Sequence, residues 1–292
     1  MISNAQPRAV RRTYPRWFYL PAAIVFGLFF IVPTALSFYF SLTRWTLFNA
    51  TFIGLDNFIT FLNDPQLMSG LRHTIVYALL TCIAKVIISL PLAMLLTSRI
   101  RLKGLLRSIV FFPTLVSIIA VGVTFEALMQ PSTGLINTVL RSFGLAGPHW
   151  LGDPDLALFS VILVDIWQGL GFATVIFIAG ILSIPQDYFD AVRLEGGAWA
   201  EFRHVILPLA RNAAFTVILL AFIGGLRRFD LIWTMTNGGP GFASDVMSSV
   251  IFKEYGAGFY GLSTAGNVVL FILVTLIVYP LMWFFNRQEI EL

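Results

Sequence analysis

Residues 184–212 read IPQDYFDAVRLEGGAWAEFRHVILPLARN, a polar interruption in an otherwise very apolar chain. This stretch holds seven charged side chains, one histidine and the pair Gly196-Gly197. On both sides it is flanked by apolar segments that are long enough to cross a bilayer. We interpret the loop as a docking element for a partner, because a polar segment of this length between two spans has to be presented to water or to another protein. The spans around it are then expected to form a solute pathway.

The composition is that of an integral membrane protein. Of the 292 residues, 58% are hydrophobic and 12% are charged, whereas soluble domains carry about 25% charged residues. The net charge of +4 is attributed to cytoplasmic loops rather than to nucleic-acid binding. A single cysteine, Cys82, excludes an internal disulfide framework and a cysteine-based zinc site. The three histidines are far apart in sequence, and no metal site is expected.

Six apolar segments near the ~20 residues that a spanning helix needs predict an all-α polytopic membrane protein. They are 17–42, 73–97, 105–129, 156–183, 212–236 and 263–285. Helices are required because lipid-facing backbone has to satisfy its own hydrogen bonds. The predicted organisation is an N-terminal tail over 1–16, a six-helix transmembrane domain over 17–286 and a C-terminal tail over 287–292.

The distribution of lysine and arginine predicts the orientation of these helices. If the N-terminus is cytoplasmic, the cytoplasmic side carries Arg8, Arg11, Arg12, Arg16, Arg99, Arg101, Lys103, Arg107, Arg193, Arg203, Arg211 and Arg287. The outside loops carry Arg44, Arg72, Arg141 and Lys253. This bias of twelve to four predicts that both termini and the 184–212 loop, between the fourth and fifth helices, are cytoplasmic.

Charged residues also occur inside the predicted spans, namely Lys85, Glu126, Asp165, Arg227 and Arg228. Such groups are costly in a bilayer and usually face a bundle interior or a water-filled cavity. For Lys85 the simpler explanation is a structural ion pair or a side chain that snorkels to the interface. For the cluster around Arg228 the simpler explanation is an ordinary interfacial group.

The 184–212 loop is predicted to form two helices. Asp187 is expected to cap a helix over 188–195, which the Gly-Gly pair then breaks, and a second helical piece is expected over 198–206. Pro208 is expected to end the element before the next span. Apolar side chains on these helices are Phe189, Val192, Trp199 and Phe202. A helix that fits a groove on another protein has this pattern, and an amphipathic helix resting on lipid is the alternative.

Motifs for nucleotide hydrolysis and for catalysis are missing from the sequence. We find no G-x-x-x-x-G-K-[ST], no G-x-G-x-x-G after a strand, no H-E-x-x-H and no G-x-S-x-G. The chain is therefore not expected to be an enzyme, and no catalytic residue, bound cofactor or metal is assigned. If transport is active, its energy has to come from a partner or from an ion gradient.

The loop resembles the cytoplasmic signature E-A-A-x-x-x-G, followed by I-x-L-P, of importer permeases of the ATP-binding-cassette superfamily. The matching residues are Asp190-Ala191-Val192-Arg193-Leu194-Glu195-Gly196, Phe202 and Val205-Ile206-Leu207-Pro208. The departures are Asp for the first Glu, Val for the second Ala, and Glu195 for the usual Asp. Segments elsewhere resemble the sugar-importing branch, typified by the maltose permease. They are Ile53-Gly54-Leu55-Asp56-Asn57-Phe58, Leu182-Ser183-Ile184-Pro185, Phe229-Asp230-Leu231-Ile232 and Thr236-Asn237-Gly238-Gly239-Pro240.

This resemblance implies a six-helix core in a bacterial cytoplasmic membrane and a set of partners. They are a second, similar permease chain, two cytoplasmic subunits that use ATP and Mg, and an external solute-binding protein that delivers a sugar-like solute. The resemblance also implies that the 184–212 loop is a coupling loop for the ATPase subunits. The residues assigned to coupling are Asp190, Ala191, Val192, Arg193, Glu195, Gly196, Phe202, Ile206 and Pro208.

The resemblance to the maltose permease further implies a cavity lined by three helices. The residues carried over are Thr114 on one helix, Asp165, Trp167 and Gly169 on the second, and Ala221, Gly225 and Arg228 on the third. Asp165 and Arg228 stand where that permease has neutral polar residues. Two hypotheses follow. Either Arg228, with or without Arg227, contacts an anionic group on the solute, or Arg228 and Asp165 form a structural pair beside a neutral sugar.

Three other classes of protein compete with this interpretation. A secondary transporter would need coupling charges and usually inverted repeats with broken helices, and no convincing repeat relates 17–129 to 156–285. An intramembrane enzyme could use Asp165 and Glu126 as paired carboxylates, but no nucleophile or metal constellation accompanies them. A scaffold would bind an ATPase subunit and move no solute.

Overall fold

The computed structural model describes residues 16–46, 48–98 and 100–286, apart from the side chains of Arg16, Glu195 and Asn286. The predicted tails, 1–16 and 287–292, lie outside the described residues except for the backbone of Arg16. Several of the arginines from which the orientation was predicted also lie outside the described residues. They are Arg8, Arg11, Arg12, Arg99 and Arg287.

Helices make up most of the described chain. Its first half contains α1 (Leu20–Phe26), α2 (Val32–Ser41), β1 (Thr43–Trp45), β2 (Ala50–Phe52), α3 (Asp56–Asn63), α4 (Pro65–Thr97), α5 (Lys103–Leu115), α6 (Ile118–Leu128) and α7 (Leu135–Ser142). Its second half contains α8 (Ala157–Leu182), α9 (Gln186–Glu195), α10 (Ala198–Glu201), α11 (Leu207–Leu209), α12 (Arg211–Leu226), α13 (Asp230–Thr236), α14 (Met247–Gly256) and α15 (Tyr260–Asn286). A 3-10 turn at Arg16–Tyr19 and π-helical segments at Gly27–Ile31 and Phe202–Ile206 join some of these helices.

Four helical segments are long and apolar enough to cross a membrane without a sharp bend. They are Trp17–Ser41, Pro65–Thr97, Ala157–Leu182 and Tyr260–Phe285. Four of the six predicted spans are therefore confirmed as helices of spanning length, and two bent helix pairs raise the number of candidate spans to as many as six. The second span begins earlier than predicted because Asp64 caps it. The Asp64 carboxylate accepts hydrogen bonds from the backbone N–H groups of Gln66, at 2.8 Å, and Leu67, at 3.3 Å.

The structure corrects the predicted continuous helix over 105–129. Helices α5 and α6 meet at an angle of 97°, and Val116 between them has an extended backbone with φ −81° and ψ 139°. Pro113 lies inside the last turn of α5, where it weakens helical continuity. The carbonyl of Val116 accepts a hydrogen bond from Gln168 Nε2 of α8 at 3.2 Å. The break is thus stabilised by a side chain from a distant helix.

The predicted continuous helix over 212–236 is corrected in the same way. Helix α12 ends at Leu226, and α13 begins at Asp230. Between them Phe229 has φ −130° and ψ −58°, which is not helical. The side chain of Arg228 reaches from this break to Asp165 on α8, with a shortest distance of 2.6 Å between the charged atoms. We attribute the break to this ion pair. Its carboxylate partner, Asp165, is far from Arg228 in sequence, so the local pattern of residues does not reveal it.

Helix α4 is the centre of the bundle, and α8 and α12 both pack against it. Helix α12 approaches closely at Gly225, where an added Cβ would lie 2.7 Å from the Cα of Ala78. Buried side chains of both helices form a cluster at this contact: Ala78, Cys82, Phe222 and Leu226. The close approach depends on the missing side chain at Gly225.

We therefore expect Gly225→Ala to destabilise the protein by about 1–3 kcal/mol, the usual cost of overpacking a filled interior. The apparent melting temperature of the purified protein in detergent would measure this loss. Gly224→Ala is the matched control, because a Cβ at Gly224 meets no heavy atom within 4 Å. An equal effect of the two substitutions would contradict the close packing of α12 on α4.

The segments predicted as outside loops, 43–72, 130–155 and 237–262, contain folded elements. In the first, the side-chain amide of Asn57 donates to the carbonyls of Ser41, at 2.9 Å, and Thr43, at 2.8 Å. In the last, the buried carboxylate of Asp245 lies 2.6 Å from Lys253 Nζ. The first contact ties α3 to the end of α2, and the second holds the segment 237–262 together internally.

Candidate functional site

Three charged side chains from different parts of the bundle meet in its interior. Lys85 lies on α4, Asp165 lies on α8, and Arg228 follows α12. Lys85 Nζ donates a hydrogen bond to Asp165 Oδ2 at 2.8 Å, and Arg228 Nη2 lies 2.6 Å from Asp165 Oδ1. Each oxygen of the carboxylate therefore faces one cation. We call these three residues the charged triad.

The charged triad is largely removed from solvent. Asp165 is 0% exposed and Lys85 is 5% exposed, while the side chain of Arg228 keeps 21% of its surface accessible. Charges in such a place are stable only when they are paired. The phenol of Tyr77, which is also fully buried, borders Asp165 and Arg228. The Asp165 carboxylate therefore compensates the charges of both Lys85 and Arg228.

Gly169 leaves the space that the side chain of Lys85 occupies. It lies one helical turn after Asp165 and so on the same face of α8. An added Cβ at Gly169 would lie 2.5 Å from Lys85 Cε and 2.8 Å from Lys85 Nζ. The aliphatic stem of the lysine therefore lies directly across the glycine on its way to the carboxylate.

A cavity of about 150 Å³ opens beside the triad. Lys85, Gly169 and Arg228 line one part of it, and Ala221 and Gly224 of α12 line another. The remaining wall is apolar and consists of Phe172, Ala173, Ile176, Val217 and Leu220. The cavity therefore combines two cationic side chains with an apolar surface.

The structure brings some of the predicted solute-contacting residues to this cavity and places others elsewhere. Gly169, Ala221 and Arg228 line it. Gly225 packs against Ala78 of α4 instead. The hydroxyl of Thr114 donates to the carbonyl of Gln168 at 2.9 Å and so joins α5 to α8.

Trp167 lies on a different part of α8 from the cavity lining. It is 41% exposed, and its ring centroid lies 5.1 Å from that of Phe125 on α6. Arg227 is exposed and does not line the cavity. Glu126 lies beside a separate cavity formed by Trp233 and the residues that follow it, so Glu126 and Asp165 do not share a site.

Lys85 is the residue of this site that the sequence analysis did not assign. Its interpretation as a structural ion pair is confirmed by the contact with Asp165. The sequence marked Lys85 as a cation within a span, but its partner lies 80 residues further along the chain. Only the packing of α4 against α8 could identify that partner.

The 184–212 loop folds as two helices at the end of the bundle, with one correction at its start. Helix α9 begins at Gln186, and Pro185 precedes it without a side-chain hydrogen bond to the helix end. Asp187 is therefore not the cap that was predicted. It lies in the first turn of α9, where its negative charge suits the positive end of the helix dipole.

The second helical piece is longer than predicted. It continues from α10 through the π-helical segment Phe202–Ile206 and through Pro208 to Leu209, so the expectation that Pro208 ends it is wrong. A proline ring clashes with the carbonyl four residues before it in a regular helix. The wider π-helical turn relieves this clash, and the chain turns instead at Ala210, producing a 65° bend before α12.

One face of the loop is buried against the bundle. Phe189, Val205 and Ile206 are 8%, 2% and 4% exposed and belong to a cluster that includes Leu96 and Phe177. Phe189 was expected to offer an apolar face to a partner, and the structure corrects this. Ile206, assigned to coupling, likewise lies inside the protein.

The opposite face of the loop is exposed and carries both large apolar and charged side chains. Tyr188, Leu194 and Trp199 are 48%, 89% and 70% exposed. Arg193 lies 3.4 Å from Asp190 and 3.6 Å from Glu201, which links α9 to α10. Of the other residues assigned to coupling, Asp190 and Ala191 are exposed, and Val192 and Phe202 are partly buried. The side chain of Glu195 lies outside the described residues.

Gly196 lies between the two helices of the loop and allows close packing against the second one. Its backbone is extended, with φ −161° and ψ 172°, and an added Cβ would lie 2.5 Å from the Cβ of Ala200. At Gly197 an added Cβ would meet no heavy atom within 4 Å. The two glycines therefore have different roles, and the first is the one that permits close packing.

Within 16–46, 48–98 and 100–286, no three His, Cys, Asp or Glu residues come together in a group that could hold a metal ion. The Asp165 carboxylate is occupied by its two cationic neighbours.

Several proteins with curated names are similar to this chain over most of its length. The trehalose/maltose transport system permease protein MalF of Thermococcus litoralis is 33% identical over 258 residues, which cover 87% of this chain and 88% of that protein. The arabinooligosaccharides transport system permease protein AraP of Bacillus subtilis is 26% identical over 276 residues, which cover 91% and 87%.

Solved structures share the fold. A crystal structure of a bacterial ABC transporter involved in the import of the acidic polysaccharide alginate superimposes with a TM-score of 0.81. The sequence identity is 23%, and the match covers 94% of this chain and 95% of that one. At this identity the likeness concerns the fold alone.

A family model described as binding-protein-dependent transport system inner membrane component matches residues 67–288. This match covers α4 to α15 and therefore includes both the charged triad and the 184–212 loop. The resemblance to ABC importer permeases is confirmed. The chain belongs to the family of inner-membrane components of binding-protein-dependent transport systems.

Proposed function

We propose that this chain is a permease subunit of an ATP-driven importer that moves a sugar or sugar derivative across a bacterial cytoplasmic membrane. The observation that carries the proposal is a cavity inside a membrane-protein fold, lined by Lys85 and Arg228, in a chain of this permease family. Buried charges beside a cavity are typical of solute pathways in membrane proteins. The assignment of a sugar rests on the relatives named as sugar transport permeases, such as MalF and AraP.

The energy is proposed to come from two cytoplasmic ATPase subunits that bind ATP and Mg, one of which docks on the 184–212 loop of this chain. The exposed face of the loop, with Tyr188, Leu194 and Trp199, supports this assignment. Its buried face, with Phe189 and Ile206, connects the loop to the core. A displacement of the docked loop would therefore be transmitted to α8 and α12, and such coupling can drive a switch between two arrangements of the bundle.

A second, similar permease chain and an external solute-binding protein complete the proposed complex. The cavity of about 150 Å³ in one chain is smaller than the pockets that usually hold small molecules, which measure about 300–1,000 Å³. A pathway shared by two permease chains would supply the remaining volume. Both termini of this chain are proposed to be cytoplasmic.

The test is uptake of labelled sugars by proteoliposomes that contain the complete complex and its solute-binding protein. We expect uptake only when ATP and Mg are available to the ATPase subunits. Collapse of the proton and sodium gradients with ionophores should leave the initial rate unchanged. Uptake that persists without ATP and stops with an ionophore would contradict the proposal and indicate a secondary transporter.

A further inference from the structure

We propose that Lys85 and Arg228 bind an anionic group on the transported solute, so that the solute is an acidic sugar derivative. The group would be a carboxylate, a sulfonate or a phosphate. This inference rests on the proposed function, because it assumes that the cavity beside the charged triad belongs to the solute pathway. It assigns Lys85 a binding role that the sequence alone did not give it.

The first observation is the imbalance of charge in the triad. Asp165 supplies one negative charge, and Lys85 and Arg228 each supply a positive one. Among the residues that the structure describes, Lys85 and Arg228 have no ion pair with any other carboxylate. One net positive charge is thus held in the interior of a membrane protein, where an unpaired charge is strongly unfavourable. An anionic ligand would neutralise it.

The second observation concerns which of the three charged side chains line the cavity. Lys85 and Arg228 line the cavity, and Asp165 does not. The side-chain exposure is 1% for Asp165, 7% for Lys85 and 21% for Arg228. A solute in the cavity therefore meets the two cations, while the carboxylate lies behind them. This arrangement attracts an anion and does not present an acceptor to the hydroxyl groups of a neutral sugar.

The third observation is the geometry of the cationic groups. Lys85 and Arg228 contact different oxygens of Asp165, and both side chains line the same cavity. A guanidinium and an ammonium in this arrangement have further N–H donors available beyond those facing Asp165. Such donors form short, charge-assisted hydrogen bonds to oxyanions. The apolar wall around Phe172 and Leu220 is suited to the carbon face of a sugar ring.

Lys85→Met and Arg228→Gln test the inference because each leaves Asp165 paired with one remaining cation. The probes are glucose 6-phosphate, methyl glucuronoside and 6-sulfoglucose, with neutral methyl glucoside as the reference solute. We expect the wild-type complex in proteoliposomes to take up at least one acidic probe in preference to methyl glucoside. Each substitution should lower uptake of that acidic probe by about 10- to 100-fold, the range expected for a lost hydrogen bond to a charged group. Uptake of the neutral probe should change far less.

Arg227→Gln is the matched control, because it makes the same chemical change one residue away at an exposed position outside the cavity. It should leave the preference for the acidic probe intact. Equal losses for acidic and neutral probes in both triad variants would overturn the inference, as would a wild-type preference for methyl glucoside over all three acidic probes. In those cases the proposed function would stand. Failure of the wild-type complex to take up any sugar, acidic or neutral, would overturn both. Co-purification of the partner subunits with each variant checks that it has folded.

Discussion

Replacing Asp165 with Asn is expected to destabilise the protein by about 3–5 kcal/mol, the usual effect of removing one partner from a buried ion pair. The substitution keeps the size of the side chain but leaves Lys85 and Arg228 next to each other without a counter-charge. Two like charges in a medium of low dielectric constant repel strongly. Thermal denaturation of the purified complex in detergent would measure the loss.

The matched control is the double variant Asp165→Asn with Lys85→Met, which removes one cation together with the anion. It should recover much of the stability lost in the single variant, because the repulsion between the cations is gone. With Lys85→Met alone measured as well, these variants complete a double-mutant cycle. If Lys85→Met changed the melting temperature by the same amount in the wild-type and Asp165→Asn backgrounds, Lys85 and Asp165 would not interact energetically, in conflict with their 2.8 Å contact.

A second large effect is expected at the first glycine of the 184–212 loop. Gly196→Val would place side-chain atoms against Ala200, whose Cβ lies 2.5 Å from the position of an added Cβ. Helices α9 and α10 would have to separate, and the exposed face that carries Leu194 and Trp199 would change shape. We expect ATP-driven uptake to fall by about 100-fold, since a displacement of about 1 Å can have an effect of that size on a precisely positioned assembly.

Gly197→Val is the control for this experiment, because a Cβ at Gly197 meets no neighbouring atom within 4 Å. Both variants add the same side chain to the same turn. Two measurements separate the possible causes: co-purification of the ATPase subunits reports docking, and solute-stimulated ATP hydrolysis reports coupling. Wild-type uptake by Gly196→Val would contradict the role assigned to this loop.

The sequence alone was sufficient to predict the features that depend on composition and on local pattern. Long apolar segments predicted the helices of spanning length, because a bilayer about 30 Å thick fixes the length of the helix that crosses it. The spacing of Asp190, Gly196 and Pro208 indicated the permease family, which the family match over 67–288 confirms. The two helices of the loop were also predictable, because the Gly-Gly pair interrupts an otherwise helical sequence.

The tertiary structure decided where helices break and which charges meet. At the first break, the carbonyl of Val116 accepts a hydrogen bond from the side chain of Gln168 on α8. At the second, which follows the end of α12, Arg228 forms an ion pair with Asp165 on α8. Pro113 marks the first break locally, but the side chain that stabilises each break comes from, or reaches to, a residue that is remote in sequence.

The face of the 184–212 loop that points inward was likewise decided by packing. Phe189 and Trp199 are both large apolar residues on short amphipathic helices, yet the first is 8% exposed and the second is 70% exposed. The sequence determined that polar residues lie between two spans and that charged residues lie within the bundle. Only the packed structure determined that Asp165 joins Lys85 and Arg228, because a buried charge finds its partner through the arrangement of helices in space.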